Sequence, residues 1–299
     1  MSDFGWLGLG TAQFGLDYGA TNAVGQVAKA EVRAILANAA AAGVRTLDTA
    51  PAYGAAERVL GDLAGPEFEL VTKAVKLADY PGRSPERAVR EGLEASLNAL
   101  GRPTVDALLV HAAEDLIGAT GDALWRALER LRAEGLTKRI GVSIYGGGQL
   151  STLLDRYPLD LVQAPINPLD QRLLSNGLVD RLHRSNVRIH VRSLFLQGVL
   201  LSAPEEVPSW LAPMRPTLQR LDDADGGDRQ QRVASFFAWV RQAVQPECVI
   251  CGVTSLQQFE ELRCAATSKA NSIPEIAWTS DAFPESLLDP STWSTLKFD

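Results

Sequence analysis

The chain has 299 residues, of which 46% are hydrophobic and 22% charged, and its formal net charge is −7. That balance excludes a disordered, collagen-like or fibrous chain and fits a globular protein. The acidic charge argues against a nucleic-acid partner, and no run of about 18 uninterrupted apolar residues argues for a membrane span. The opening MSDFGWLGLG lacks the basic and apolar regions of a signal peptide, so a cytoplasmic location is expected. Three cysteines make no disulfide framework. Cys248 and Cys251 have C-x-x-C spacing, but residues three apart on a strand face opposite ways, so packed thiols are expected and no metal site.

Short apolar runs alternate with longer amphipathic segments along the chain. A strand over Trp6–Gly10 leads into a glycine-rich loop, Gln13–Gln26, and a helix over Lys29–Ala42 that stops at Gly43. Thr46–Asp48, Leu70–Lys73, Ala107–His111 and Ile140–Ser143 follow as strands. The helices between them are Ala55–Leu63, Ser84–Leu100 (with Ser84 and Pro85 as start signals) and Asp122–Ala133. After a helix over Gly148–Arg156 come strands Leu161–Pro165, Ile189–Leu194 and Val249–Val253, with helices at Gly177–Ser185, Arg229–Val244 and Leu256–Ala266. Eight such units predict a (β/α)8 TIM barrel of the α/β class, one domain over residues 1–299. An open doubly wound sheet is the alternative, but Gly8-Leu-Gly-Thr-Ala-Gln lacks its G-x-G-x-x-G turn. Residues 13–26 and 204–228 are expected as loops over the barrel mouth, and 268–299 as a C-terminal tail.

Three neighbouring strands deliver polar groups to that mouth. Asp48 ends the second strand, Tyr53 follows in its loop, Lys73 closes the third and His111 the fourth. Any one of these is ordinary; their coincidence is not. A phenol near pKa 10 is a poor proton source at neutral pH, and a nearby Lys73 ammonium is expected to lower that pKa. Asp48 would hold Lys73, and His111 would orient a carbonyl oxygen. No nucleophile elbow or H-E-x-x-H metal pattern is visible, so the other half of the chemistry falls to a cofactor, most simply hydride from a nicotinamide.

The segments Asp48-Thr49-Ala50-Pro51-Ala52-Tyr53-Gly54, Leu60-Gly61, Val71-Thr72-Lys73 and Ile140-Gly141-Val142-Ser143 together resemble the aldo-keto reductase superfamily. The resemblance runs from Leu9-Gly10-Thr11 to Gly252-Val253-Thr254-Ser255. It implies Asp48, Tyr53, Lys73 and His111 as the catalytic set, with Tyr53 the general acid. It implies cofactor contacts from Gly10, Thr11, Ser143, Gln163, Arg192, Ser193, Phe195, Gln197, Gly252, Thr254, Ser255 and Gln258. Ile144 stands where the family has asparagine, and Arg192 where it has a tyrosine that stacks on nicotinamide. Arg192 is read as a replacement stacking plane, as the partner of an anionic substrate group, or as an ordinary surface arginine. Gln258 and Leu262 stand where the family has arginine and asparagine, and no basic residue follows Gly252 before Arg263. The expected cofactor is NADP, with NAD as the alternative, and the two should bind within about 100-fold of each other. The expected partner is a small, sugar-like or other polar carbonyl compound, with neither nucleic acid nor membrane. Other readings are a barrel that binds without hydride chemistry, or a sugar isomerase or epimerase holding nicotinamide. Phe14, Tyr18, Tyr80, Tyr145, Trp210 and Trp278 are the expected aromatic walls.

Overall fold

A computed structural model describes residues 4–270 and 284–293. All eight apolar runs form strands: β1 (Leu7–Gly10), β2 (Thr46–Asp48), β3 (Glu69–Ala74), β4 (Val105–Val110), β5 (Thr137–Ser143), β6 (Leu161–Pro165), β7 (Arg188–Arg192) and β8 (Cys248–Gly252). They pair in parallel and in sequence order, and β8 returns to β1 to close a barrel. The ring of helices consists of α1 (Lys29–Ala42), α2 (Ala56–Leu63), α3 (Pro85–Leu100), α4 (Gly121–Ala133), α5 (Gly147–Arg156), α6 (Leu178–Arg184), α7 (Arg215–Asp225), α8 (Arg229–Ala243) and α9 (Leu256–Thr267). The (β/α)8 fold is therefore as expected.

The punctuation read from sequence works as chemistry. α1 ends on Gly43, whose φ of 91° only glycine adopts cheaply, and its N–H closes onto Ala39 and Ala40 carbonyls. α3 starts with Ser84 Oγ accepting from the Arg87 N–H. β2 and β6 have the expected bounds, and the other strands differ at one or both ends by one to three residues; β7 stops at Arg192, not Leu194, and His111 lies just beyond β4.

Strand pleating sorts the residues into layers. Val71, Ala107, Leu109 and Leu161 pack together inside the barrel. One pleat step further along each strand, on the same face, come polar residues: Lys73 after Val71, His111 after Leu109, Ser143 after Gly141 and Gln163 after Leu161. Apolar closure below thus forces a polar layer at the C-terminal mouth. Cys248 lies beside Gly8 on the inner face, whereas Cys251 belongs to the core between strands and helices; both are buried and free.

The stretch 204–228 departs from a loop. It is two 3-10 turns and α7, with Leu211, Met214, Leu218 and Leu221 buried. Its acidic end is held by Arg232 of α8, whose guanidinium is 3% exposed and pairs with Asp222 and Asp225. Within the tail, Leu287, Leu288 and Trp293 are buried, and the Trp293 ring meets Trp210 edge-on at 5.2 Å. No described helix is long and apolar enough to cross a membrane.

Candidate active site

A cleft of about 770 Å³ opens at the C-terminal ends of the strands. Asp48, Tyr53, His111, Ser143, Gln163, Arg192 and Ser193 line its deep end. Lys73 lies beneath them, fully buried, with its Nζ 2.5 Å from Asp48 Oδ1 and 3.1 Å from the Thr49 carbonyl. Two buried charges are tolerated here because each has a partner and further hydrogen bonds. Gln163 Nε2 donates to the same Asp48 oxygen at 2.7 Å, and Ser143 Oγ reaches Gln163 Oε1 at 3.4 Å. The Thr11 hydroxyl donates to the Asp48 carbonyl, so β1 fixes the backbone that carries the acid.

Tyr53 sits edge-on to His111, with ring centroids 6.2 Å apart, and Lys73 Nζ is 5.9 Å from the Tyr53 ring centre. Burial, and then the Asp48 charge, push the phenol well above its ordinary range. The Lys73 ammonium, beside this ring, is itself bonded to Asp48 and the Thr49 carbonyl. Burial also lowers the Lys73 pKa, against the pull of Asp48. His111 is brought down to about 4 by burial and by the Lys73 charge, so it is a neutral imidazole at pH 7. The set therefore offers a protonated phenol and a neutral histidine around one point.

The cleft continues past β7 and β8 toward the start of α9. Gly10, Phe195, Gln197, Gly252, Thr254 and Gln258 line it, as expected for the cofactor. Ser255 does not: it is the N-cap of α9 and accepts from the Gln258 N–H. Gln197 lines the cleft but its amide is already used. It accepts from the Ala20 N–H and donates to Tyr18 Oη, while its carbonyl accepts from Thr21. It therefore fastens the β1 loop across the cleft to the β7 loop. Ser193, Leu196 and Gln197 all have positive φ (57°, 47°, 54°), a strained run beside a ligand cleft.

Sequence reasoning missed the far end. Gly227, Asp228 and Arg229 line the cleft opposite Gln258 and Glu261, and Arg229 Nε stands 4.0 Å from Glu261 Oε2. A cation does face this end, supplied by the start of α8 rather than by the segment after Gly252. The only signal was an insertion of unknown path. A second surprise is Glu31, whose carboxylate accepts the Leu256 N–H at 2.6 Å and so occupies the α9 N-terminus. Of the expected aromatic walls, Tyr18 and Tyr145 line the cleft. Phe14 is buried in the core, Tyr80 stacks with Arg83, Trp210 packs on Trp293, and Trp278 lies outside the described residues.

The aldo/keto reductase family profile matches residues 6–277, and the chain belongs to that family, whose members are NAD(P)-dependent oxidoreductases. An aldo-keto reductase of Mycobacterium ulcerans is 35% identical over 153 residues, covering 50% of this chain and 51% of the relative. In that match the chain spans about half the length of the curated relative. A 6-dehydroglucose reductase of Agrobacterium fabrum is 28% identical over 268 residues, covering 83% and 86%. The holo form of an aldo-keto reductase from Bacillus halodurans superposes with a TM-score of 0.69 at 19% identity, covering 94% and 92%, which shows the shared fold.

Proposed function

We propose that the protein reduces a small polar carbonyl compound to an alcohol, with Tyr53 as the general acid. The observation that carries this reading is the meeting of Tyr53, His111 and the buried Asp48–Lys73 pair at the deep end of the cleft. A nicotinamide dinucleotide, NADP or NAD, would supply hydride when bound. The residues fit such a group: the cleft has the volume of a ligand site, and Ser143 and Gln163, bonded to each other and, through Gln163, to Asp48, line its deep end with polar groups. Gly10, Thr11, Ser193, Phe195, Gly252, Thr254 and Gln258 would hold the rest.

Within that arrangement His111, being neutral, donates a hydrogen bond that orients the carbonyl oxygen. Tyr53 gives its proton to that oxygen as negative charge builds there. The high phenol pKa keeps the proton in place until then and makes its release costly in the absence of that charge. Lys73 and Asp48 set the local field, over the apolar layer of Val71, Ala107, Leu109 and Leu161. A relative named for a dehydroglucose agrees with a sugar-like substrate.

The test is consumption of NADPH or NADH with a panel of aldehydes, ketones and sugars. Tyr53→Phe should lower turnover by roughly 10²–10⁴-fold while cofactor affinity stays within a few fold. Near-normal turnover in Tyr53→Phe removes the assignment. Cofactor binding without turnover of any carbonyl favours the binding-module reading instead.

A further inference from the structure

Arg192 ends β7 on the same face as His190, and so enters the mouth rather than the helix layer. One of its N–H groups donates to the Ile144 carbonyl at 2.9 Å and another reaches Ser193 Oγ at 3.3 Å. The carbon of its guanidinium lies over the Tyr145 ring, 4.3 Å from the ring centre. No carboxylate among the described residues pairs with it. The nearby Arg172, in contrast, is neutralised by Asp170 at 2.7 Å. Lys73 is likewise matched by Asp48, and His111 is neutral. Among the residues lining the deep end of the cleft, Arg192 is therefore the cation without a carboxylate partner.

A half-buried guanidinium held by neutral acceptors keeps donors and a full charge for something that arrives from outside. Its field reaches the reacting groups, since it is among the charges that bear on Tyr53, Tyr18 and His111. Its planar fork matches a carboxylate or a phosphate. The guanidinium already lies over the Tyr145 ring, which favours recognition through its remaining N–H donors over stacking on a cofactor ring. We propose that Arg192 binds an anionic group, carboxylate or phosphate, carried by the carbonyl substrate, with Tyr145 and Tyr18 flanking the carbon chain between. This rests on the carbonyl-reductase reading. It narrows the substrate class to acidic or phosphorylated carbonyl compounds.

The experiment compares matched pairs: succinic semialdehyde against butanal for a carboxylate, and glyceraldehyde 3-phosphate against glyceraldehyde for a phosphate. In the wild type kcat/KM should favour the anionic member of at least one pair by about tenfold or more, the size of a charge-assisted contact. Whichever pair shows the preference identifies the anion. In Arg192→Gln the ratio should collapse to within about threefold, and Arg192→Lys should restore part of it. NADPH and NADH affinities, read by fluorescence titration, should change little in both variants. Equal kcat/KM within both pairs overturns the proposal. So does an Arg192→Gln whose loss falls on cofactor affinity and leaves the ratio intact. If no carbonyl is reduced at all, the reductase reading fails. Calorimetric titration of wild type and Arg192→Gln with succinate and inorganic phosphate then decides Arg192 by itself: Arg192-dependent binding upholds the anion site, and its absence overturns it.

Discussion

Asp48 is the point on which the groups of the deep mouth converge. One oxygen takes both Lys73 and Gln163, and its backbone carbonyl takes Thr11. That convergence explains why a three-residue strand suffices to place it. At the opposite end of the cleft the decisive pair is Arg229 and Glu261, 4.0 Å apart and each about half exposed. A guanidinium there attracts a 2′-phosphate, and a carboxylate there accepts from a 2′-hydroxyl and repels a phosphate. Glu31 adds a second negative charge at the α9 N-terminus. With both signs present, NADPH and NADH should differ in affinity by less than about 100-fold. Arg229→Gln should weaken NADPH by about tenfold and leave NADH nearly unchanged. Glu261→Gln should shift the preference toward NADPH. Titration of both cofactors against the three proteins checks this, and a preference ratio unmoved by either substitution would remove both residues from the site.

The loops after β1 and β2 are built to interlock, and that contact positions Tyr53. A Cβ on Gly15 would lie 2.0 Å from the Tyr53 carbonyl and 2.3 Å from the Ala56 nitrogen, distances no real contact allows. Gly54, with φ of 58°, approaches Gly15 from the other side. Gly15→Ala must therefore move the backbone that carries the acid. It should cost about 1–3 kcal/mol of stability and lower kcat at least about tenfold, because small displacements of a catalytic group are expensive. Gly148→Ala is the matching control. Gly148 lies in α5 with nothing within 4 Å of an added Cβ, so that change should be neutral or slightly stabilising. Denaturant unfolding and steady-state rates measure both, and a fully active, stable Gly15→Ala would contradict the interlock. The Gly15 constraint was not legible in sequence, since only the packing of two loops distant along the chain creates it.

Closure of the barrel leaves a charged floor opposite the mouth. Glu247, at the entry to β8, receives His190 Nε2 at 3.1 Å, Arg139 Nη1 at 2.5 Å and Arg188 Nε at 3.4 Å. It thereby links β5, β7 and β8 across the bottom. The His190 hydrogen bond and the Arg139 contact hold its carboxyl down at about 2, against an ordinary value of 4.5. A depressed folded-state pKa gives stability that is complete above the unfolded value and is lost as pH falls through the folded one. Melting temperature should therefore drop between about pH 4.5 and pH 2 partly through Glu247. Glu247→Gln should be less stable at pH 7 and show a shallower decline over that window. A Glu247→Gln acid limb parallel to the wild type would assign the decline to other carboxylates.

The amino-acid sequence by itself determined the barrel, because eight apolar runs separated by capped amphipathic helices admit few other solutions. It also pointed to Asp48, Lys73 and His111, each in or next to a strand whose pleat dictates its direction, and to Tyr53 in the loop after β2. Tertiary structure alone decided the rest. It bonded Lys73 to Asp48, committed Gln197 to fastening two loops, left Ser255 as a cap, brought Arg229 to the far end of the cleft and set Glu31 on the α9 N-terminus. Residue 229 and residue 261 belong to different helices, and 31 and 256 are 225 positions apart. Periodicity reports which face a side chain takes on its own element. Which charges meet across elements depends on how the elements pack, and no local pattern carries that information.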